Sequence, residues 1–218
     1  MPTASSTSFK VPSFLALLLL MISSAVLAQI EEVPVLKDSI AYSMEEALEH
    51  PLDIKVLDLR KKKLKELPNT FDRLVNLHSI HLDRNKLSTL PPSIKDAKNL
   101  RYISIANNKF DSLPAEICAF KHLRVLDISN NYIPELSDCL GEMIHLEELL
   151  MVGVDVGKIP SSMNGLEIKV IDMRMIQMNA KEQAAIKEAF PNTTLRFSKP
   201  CNCFDEDEEE DDDDPSNF

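Results

Sequence analysis

LHSIHLDRNKLSTLPPSIKDAKN (residues 77–99), LRYISIANNKFDSLPAEICAFKH (100–122) and LRVLDISNNYIPELSDCLGEMIH (123–145) lie end to end and share one frame. With Leu77, Leu100, Leu123 and Leu146 as position 1, position 4 reads Ile80, Ile103, Leu126, Leu149 and position 6 reads Leu82, Ile105, Ile128, Met151. Position 11 is Leu87, Phe110, Ile133, Val156, position 14 is Leu90, Leu113, Leu136, Ile159, and position 18 is Ile94, Ile117, Leu140, Met163. Asn85, Asn108 and Asn131 hold position 9, and Pro91, Pro114 and Pro160 follow position 14. Alternation at positions 4 and 6 predicts a short strand with both side chains on one face. Positions 1, 11, 14 and 18 must turn to the same side, so each unit is a coil with an apolar inside. A single coil cannot bury that side, whereas a stack of coils can. The strands then form a parallel sheet with neighbours ~4.8 Å apart. The position-9 amides sit where the chain leaves the strand, placed to satisfy backbone groups that the ladder does not reach.

Outward from the central units the frame weakens but persists. Ile54, Leu57, Leu59, Leu64, Leu67, Pro68 and Phe71 make a first unit, with Lys62 at the asparagine position. The fifth unit has Val154 there, and a sixth starts one residue early at Ile168, with Ile171, Met173, Ile176 and Met178. The L-x-x-L-x-L-x-x-N-x-L pattern resembles the leucine-rich repeat family, in the class whose units carry Leu-Pro after the turn. The resemblance covers about residues 43–178. It implies an α/β solenoid, a horseshoe with a concave parallel β-sheet, closed by short helical caps. It also implies binding of other molecules in place of catalysis.

The flanks divide the chain further. Residues 1–28 read as a secretory signal: Lys10, an apolar run beginning at Phe14, then small residues, with Val26 and Ala28 at −3 and −1. The apolar stretch 14–28 is shorter than the ~20 residues that span a bilayer. No other segment is apolar enough to cross one, so a secreted, periplasmic or cell-surface location is expected. Residues 29–53 form a leader and a cap helix starting at the capping-box pair Ser43 and Glu46, and residues 54–178 hold six repeats. Residues 179–200 form a second cap, with Asn179 and Glu182 opening a helix and 193–197 alternating as an edge strand. Residues 201–218 are an acidic tail without structure of its own. The net charge of −11 is concentrated in ten consecutive acids at 205–214, which leaves the remainder near neutral and gives no basic surplus for nucleic acid. Of the four cysteines, Cys118 and Cys139 fall on the same limb of adjacent coils, where a bridge is geometrically possible and two buried thiols are equally ordinary. Cys201 and Cys203 stand too close for an easy mutual loop and are expected to pair elsewhere or stay reduced.

Function is sought on the outward columns of the strands, positions 3, 5 and 7. Asp58, His81 and Ser104 share one column and have the content of a nucleophilic triad. A sheet spacing of ~4.8 Å argues against the hydrogen-bonded relay that chemistry requires. Neither catalytic nor metal-binding residues, nor a cofactor, are assigned. His122 and His145 occupy the position of Asn76 and Asn99 and read as a structural column. Arg60 to Lys65 is the basic cluster, a candidate dock for an acidic partner or the acidic tail. Tyr102, Val125, Leu150 and Val152 are expected to form one exposed apolar patch, rimmed by Asp127, Glu148 and Arg174, that takes a protein or peptide partner. The alternative is a structural or adhesive surface protein acting through its tail or a homodimer.

Overall fold

The computed structural model describes residues 39–201; the expected signal segment and the acid run at 205–214 lie outside them. Eight strands form one open parallel sheet in chain order: β1 (Ile40–Ala41), β2 (Val56–Asp58), β3 (Ser79–His81), β4 (Tyr102–Ser104), β5 (Val125–Asp127), β6 (Glu148–Leu150), β7 (Val170–Met173) and β8 (Thr194–Phe197). From β2 to β6 each strand is positions 3–5 of its unit. The register follows the frame without slippage: Ser79 opposes Tyr102, Tyr102 opposes Val125, and Val125 opposes Glu148. Leu57, Ile80, Ile103, Leu126, Leu149 and Ile171 point inward from the strand centres and are fully buried. The opposite limbs are single 3-10 turns, Phe71–Arg73, Pro92–Asp96, Ala115–Ala119, Asp138–Glu142 and Ser161–Met163. Each turns its position-18 side chain into the core, and Pro91, Pro114 and Pro160 set the extended entry to three of them. Coil after coil, these columns fuse into one continuous core, the horseshoe solenoid whose sheet lines the concave side.

Two backbone devices turn the chain at the end of each strand. The first is the asparagine ladder. Asn108 Nδ2 donates to Leu82 O and Ile105 O at 2.9 and 2.8 Å, and its Oδ1 accepts from Leu87 N at 3.0 Å. Asn85 and Asn131 repeat this one unit earlier and one unit later. The second is position 8, which is left-handed in every unit: Lys61, Arg84, Asn107, Asn130, Gly153 and Met175 have φ between 52° and 64°. Each of the first five donates its amide to the position-7 carbonyl of the following unit, as Lys61 N does to Asp83 O and Asn130 N to Val152 O. At Gly153 a Cβ would stand 2.9 Å from Asn130 Oδ1, so glycine there answers both the φ and the crowding.

The ends are closed by α1 (Met44–Glu49) and α2 (Ala180–Ala189). Ser43 Oγ accepts from Glu46 N at 3.1 Å, while the Glu46 carboxylate accepts from Tyr42 N rather than from the cap residue. Asn179 and Glu182 make the full reciprocal box, at 2.9 and 2.8 Å. Met44 and Ala47 are buried over the first coil. On α2 the most buried side chain is Gln183, whose Nε2 donates to Ser198 O; Ile186 and Ala189 are only partly covered. Ile40 and Ala41 depart from the expected irregular leader. They pair with Val56 and Leu57 as the sheet's first strand, with Ala41 fully buried. Cys118 and Cys139 are joined by a disulfide across adjacent turns, their Cα atoms 5.6 Å apart. Cys201 is also disulfide-bonded.

Candidate functional site

A shallow groove of about 590 Å³ crosses the sheet where the strands end. Its residues come from positions 5, 7 and 8 of successive units, so the repeat itself lays them in rows about one strand spacing apart. Asp127, Leu150, Val152 and Arg174 line it, together with Arg60, Asp83, Ser129, Asp172 and Arg196. Tyr102, Val125 and Glu148 lie outside it, opposite one another in the position-3 row. The seven residues selected from the sequence therefore fall in two strips. Leu150 and Val152 are half-buried rather than freely exposed. Tyr102, also half-buried, lies against the His81 ring with centroids 4.6 Å apart. Burial, then the nearby Asp83, raises the Tyr102 phenol above its ordinary value, while burial and Arg60 lower the His81 imidazole.

The charges along this face are ordered. At one end Arg60 grips Asp58, with Nε 2.8 Å from Oδ1, and its hydrogen bond holds that carboxyl below its usual range. At the other end Asp172 is 2% exposed and receives Arg174 at 2.8 Å and Arg196 at 3.5 Å. Burial works against its charge, yet the Arg174 hydrogen bonds outweigh burial and the carboxyl stays below its ordinary range. Between these pairs lies an acidic centre. Ser104, fully buried, donates its hydroxyl to Asp83 and stands 3.4 Å from Asp127 Oδ2. Asp83 Oδ2 has no hydrogen-bond partner. Burial, with Asp83 adding to it, pushes the Asp127 carboxyl above its usual range despite the hydrogen bonds from Ser129.

This arrangement can recognise; it does not assemble a nucleophile. Asp58 is held by Arg60, His81 Nε2 lies 3.1 Å from Ser79 Oγ, and Ser104 is bonded to two aspartates, so the three members of the suspected column make no relay. Among the described residues no three His, Cys, Asp or Glu are grouped to hold a metal ion, and no helix is long and apolar enough to cross a membrane. Arg196 and Asp172 lie outside the set that the sequence marks. The signal was the register of β8, which places Arg196 opposite Asp172.

Family models match the central units: Leucine Rich Repeat over residues 76–97 and Leucine Rich repeats (2 copies) over residues 98–142. No curated protein matches the chain by sequence. Among solved structures, a leucine-rich repeat protein of Leptospira interrogans is 25% identical, with TM-score 0.60, covering 72% of this chain and 39% of its own. An internalin, inlF, of Listeria monocytogenes is 15% identical, with TM-score 0.54, covering 73% of this chain and 54% of its own. TLR13 in its complex with ssRNA13 is 22% identical, with TM-score 0.55, covering 68% of this chain and 22% of its own. The chain thus spans roughly two fifths to one half of the length of the first two, and the likeness to the internalin and to TLR13 is one of fold.

Proposed function

The chain is a leucine-rich repeat protein, and from that premise we propose that it is a non-catalytic binding module whose concave sheet takes a protein or peptide. The observation that carries this reading is the groove itself. Two half-buried aliphatic side chains, Leu150 and Val152, lie between an acidic centre at Asp83 and Asp127 and the guanidinium groups of Arg174 and Arg196, with Arg60 on the far side of the acidic centre. An apolar contact bounded by fixed charges of both signs suits a polypeptide, which offers apolar and charged side chains along one line. Tyr102, Val125 and Glu148 extend the same face by one row. The apolar start of the chain supports a secreted, periplasmic or surface-exposed site of action for this module.

The test pairs capture with melting. Leu150→Asp combined with Val152→Asp places two carboxylates beside Asp127 on the groove floor. Partner capture by the full chain should be lost while the melt stays near normal, because neither side chain belongs to the fully buried core. Retained capture by a folded double variant refutes the assignment of the groove. A collapsed melt shows that these side chains hold the solenoid instead.

A further inference from the structure

The opposite edge of the sheet, where the chain enters each strand, carries a second feature. Position 2 there reads Lys55, His78, Arg101, Arg124, Glu147 and Lys169, and the last position of the preceding unit reads Asn76, Asn99, His122 and His145. Asn76 and Asn99 spend their amides on the backbone, donating to Leu52 O at 2.7 Å and Val75 O at 2.8 Å. The histidines that follow in the same column do something else. Their rings stack on each other, with centroids 5.8 Å apart and planes 25° from parallel.

Those rings, Arg101, Arg124 and Asn99 enclose a concavity of about 220 Å³ with no carboxylate in its lining. Cations on neighbouring surfaces are matched across repeats, Lys121 with Glu142 at 2.6 Å and Lys169 with Glu147 at 2.6 Å. Arg101 forms no ion pair among the described residues. Arg124 has Glu147 at 3.2 Å, a carboxylate it shares with Lys169. One unpaired guanidinium, a second paired only on its Glu147 side, and two imidazole rings thus line a concavity that has no anion among its lining residues.

We propose that this concavity binds a tetrahedral oxyanion group, a phosphate or sulfate monoester borne by a ligand. Arg101 and Arg124 start adjacent strands, ~4.8 Å apart, so their forks can grip one group from two sides. The imidazole N–H groups close the remainder. The volume fits one such group and its water and is below the ~300 Å³ at which pockets take drug-sized molecules. The site lies on the opposite strand ends from the groove, and its ligand is independent of the peptide proposed there.

The experiment follows the imidazole resonances of His122 and His145 in the full chain by NMR. Sodium phosphate and sodium sulfate are each titrated against sodium chloride at matched ionic strength. Saturable shifts with an oxyanion and none with chloride are expected, weakened about tenfold or more in the Arg101→Ala, Arg124→Ala double variant. Both arginines are exposed, so that variant should melt as the parent does. O-phosphoserine and glucose 6-sulfate then distinguish a phosphorylated from a sulfated source. Equal shifts with chloride, seen on the parent protein alone, overturn the proposal, as does a double variant that titrates like the parent.

Discussion

Removing one rung of the asparagine ladder, by Asn108→Ala, should cost far more than its size suggests. The side chain is 6% exposed and serves three backbone groups of two units at 3.0 Å or less, with Ala106 O a longer fourth at 3.2 Å. Leu82 O keeps a donor in Asn85 Nδ2, and Ile105 O keeps one in Asn131 Nδ2. Leu87 N loses its acceptor. An orphaned buried donor costs roughly 1–3 kcal/mol, and each weakened carbonyl roughly 0.5–1.5 kcal/mol, so the total is about 2–6 kcal/mol. Urea titration reads this as a lower midpoint at constant slope. Lys109→Ala, an exposed neighbour, should stay within about 0.5 kcal/mol of the parent. Asn108→Asp sharpens the argument. Its acceptor still serves Leu87 N, but a carboxylate then faces two carbonyl oxygens, which raises its folded-state pKa above the unfolded one. The variant should therefore be least stable at neutral pH and recover as pH falls. A loss below about 1 kcal/mol for Asn108→Ala, or a pH-independent Asn108→Asp, would refute the ladder as a source of stability.

Leu126→Ala empties a fully buried site at the centre of the sheet and should cost roughly 2–5 kcal/mol by the same titration; a loss under about 1 kcal/mol contradicts the packing. Asp127→Asn tests the acidic centre through its pH dependence. The folded-state pKa of Asp127 is raised from 3.8, so its contribution is complete below that value and is lost as pH rises through the folded value. The asparagine variant should gain on the parent with rising pH, and a constant difference across that range argues against burial of the charge. Asp172→Asn should behave in the opposite sense. That carboxyl is held low, so the variant is weaker at neutral pH and meets the parent only in acid.

The units were legible because burial enforces them. A residue at position 4 that left its column would expose Ile80 or Leu126, both fully buried, so every strand from β2 to β6 repeats the spacing. The ladder was legible for the same reason, since only a short amide fits a buried position with two carbonyls and one N–H to serve. Other features leave no such trace. Strand β1 is two residues long, below any periodic signal. The left-handed position 8 holds Asn107, Asn130 and Gly153 in three units but Lys61, Arg84 and Met175 in the others, none of the latter a turn-former by type. On the face, composition placed Asp127 and Arg174 at a polar rim. It could not show that Ser104 would join Asp83 to Asp127, or that Arg196 would reach Asp172 from β8, because both depend on which side chains the register sets opposite one another. The histidine column occupies the asparagine positions, and residue type alone does not announce that its rings stack.

The amide at position 8 governs how an array like this one can lengthen. From Lys61 to Gly153 each unit finishes its own turn by bonding to the unit after it, so no unit is complete alone and any whole unit can follow any other. A duplication of 23 residues between Lys61 and Gly153 would meet the same partner on both sides. The series must still stop somewhere, and here it stops by imitation. Met175 N finds Ser198 Oγ at 2.8 Å where a seventh unit would have offered a carbonyl. Growth by copying is therefore open within the array and closed at its end, where one hydroxyl stands in for the next copy.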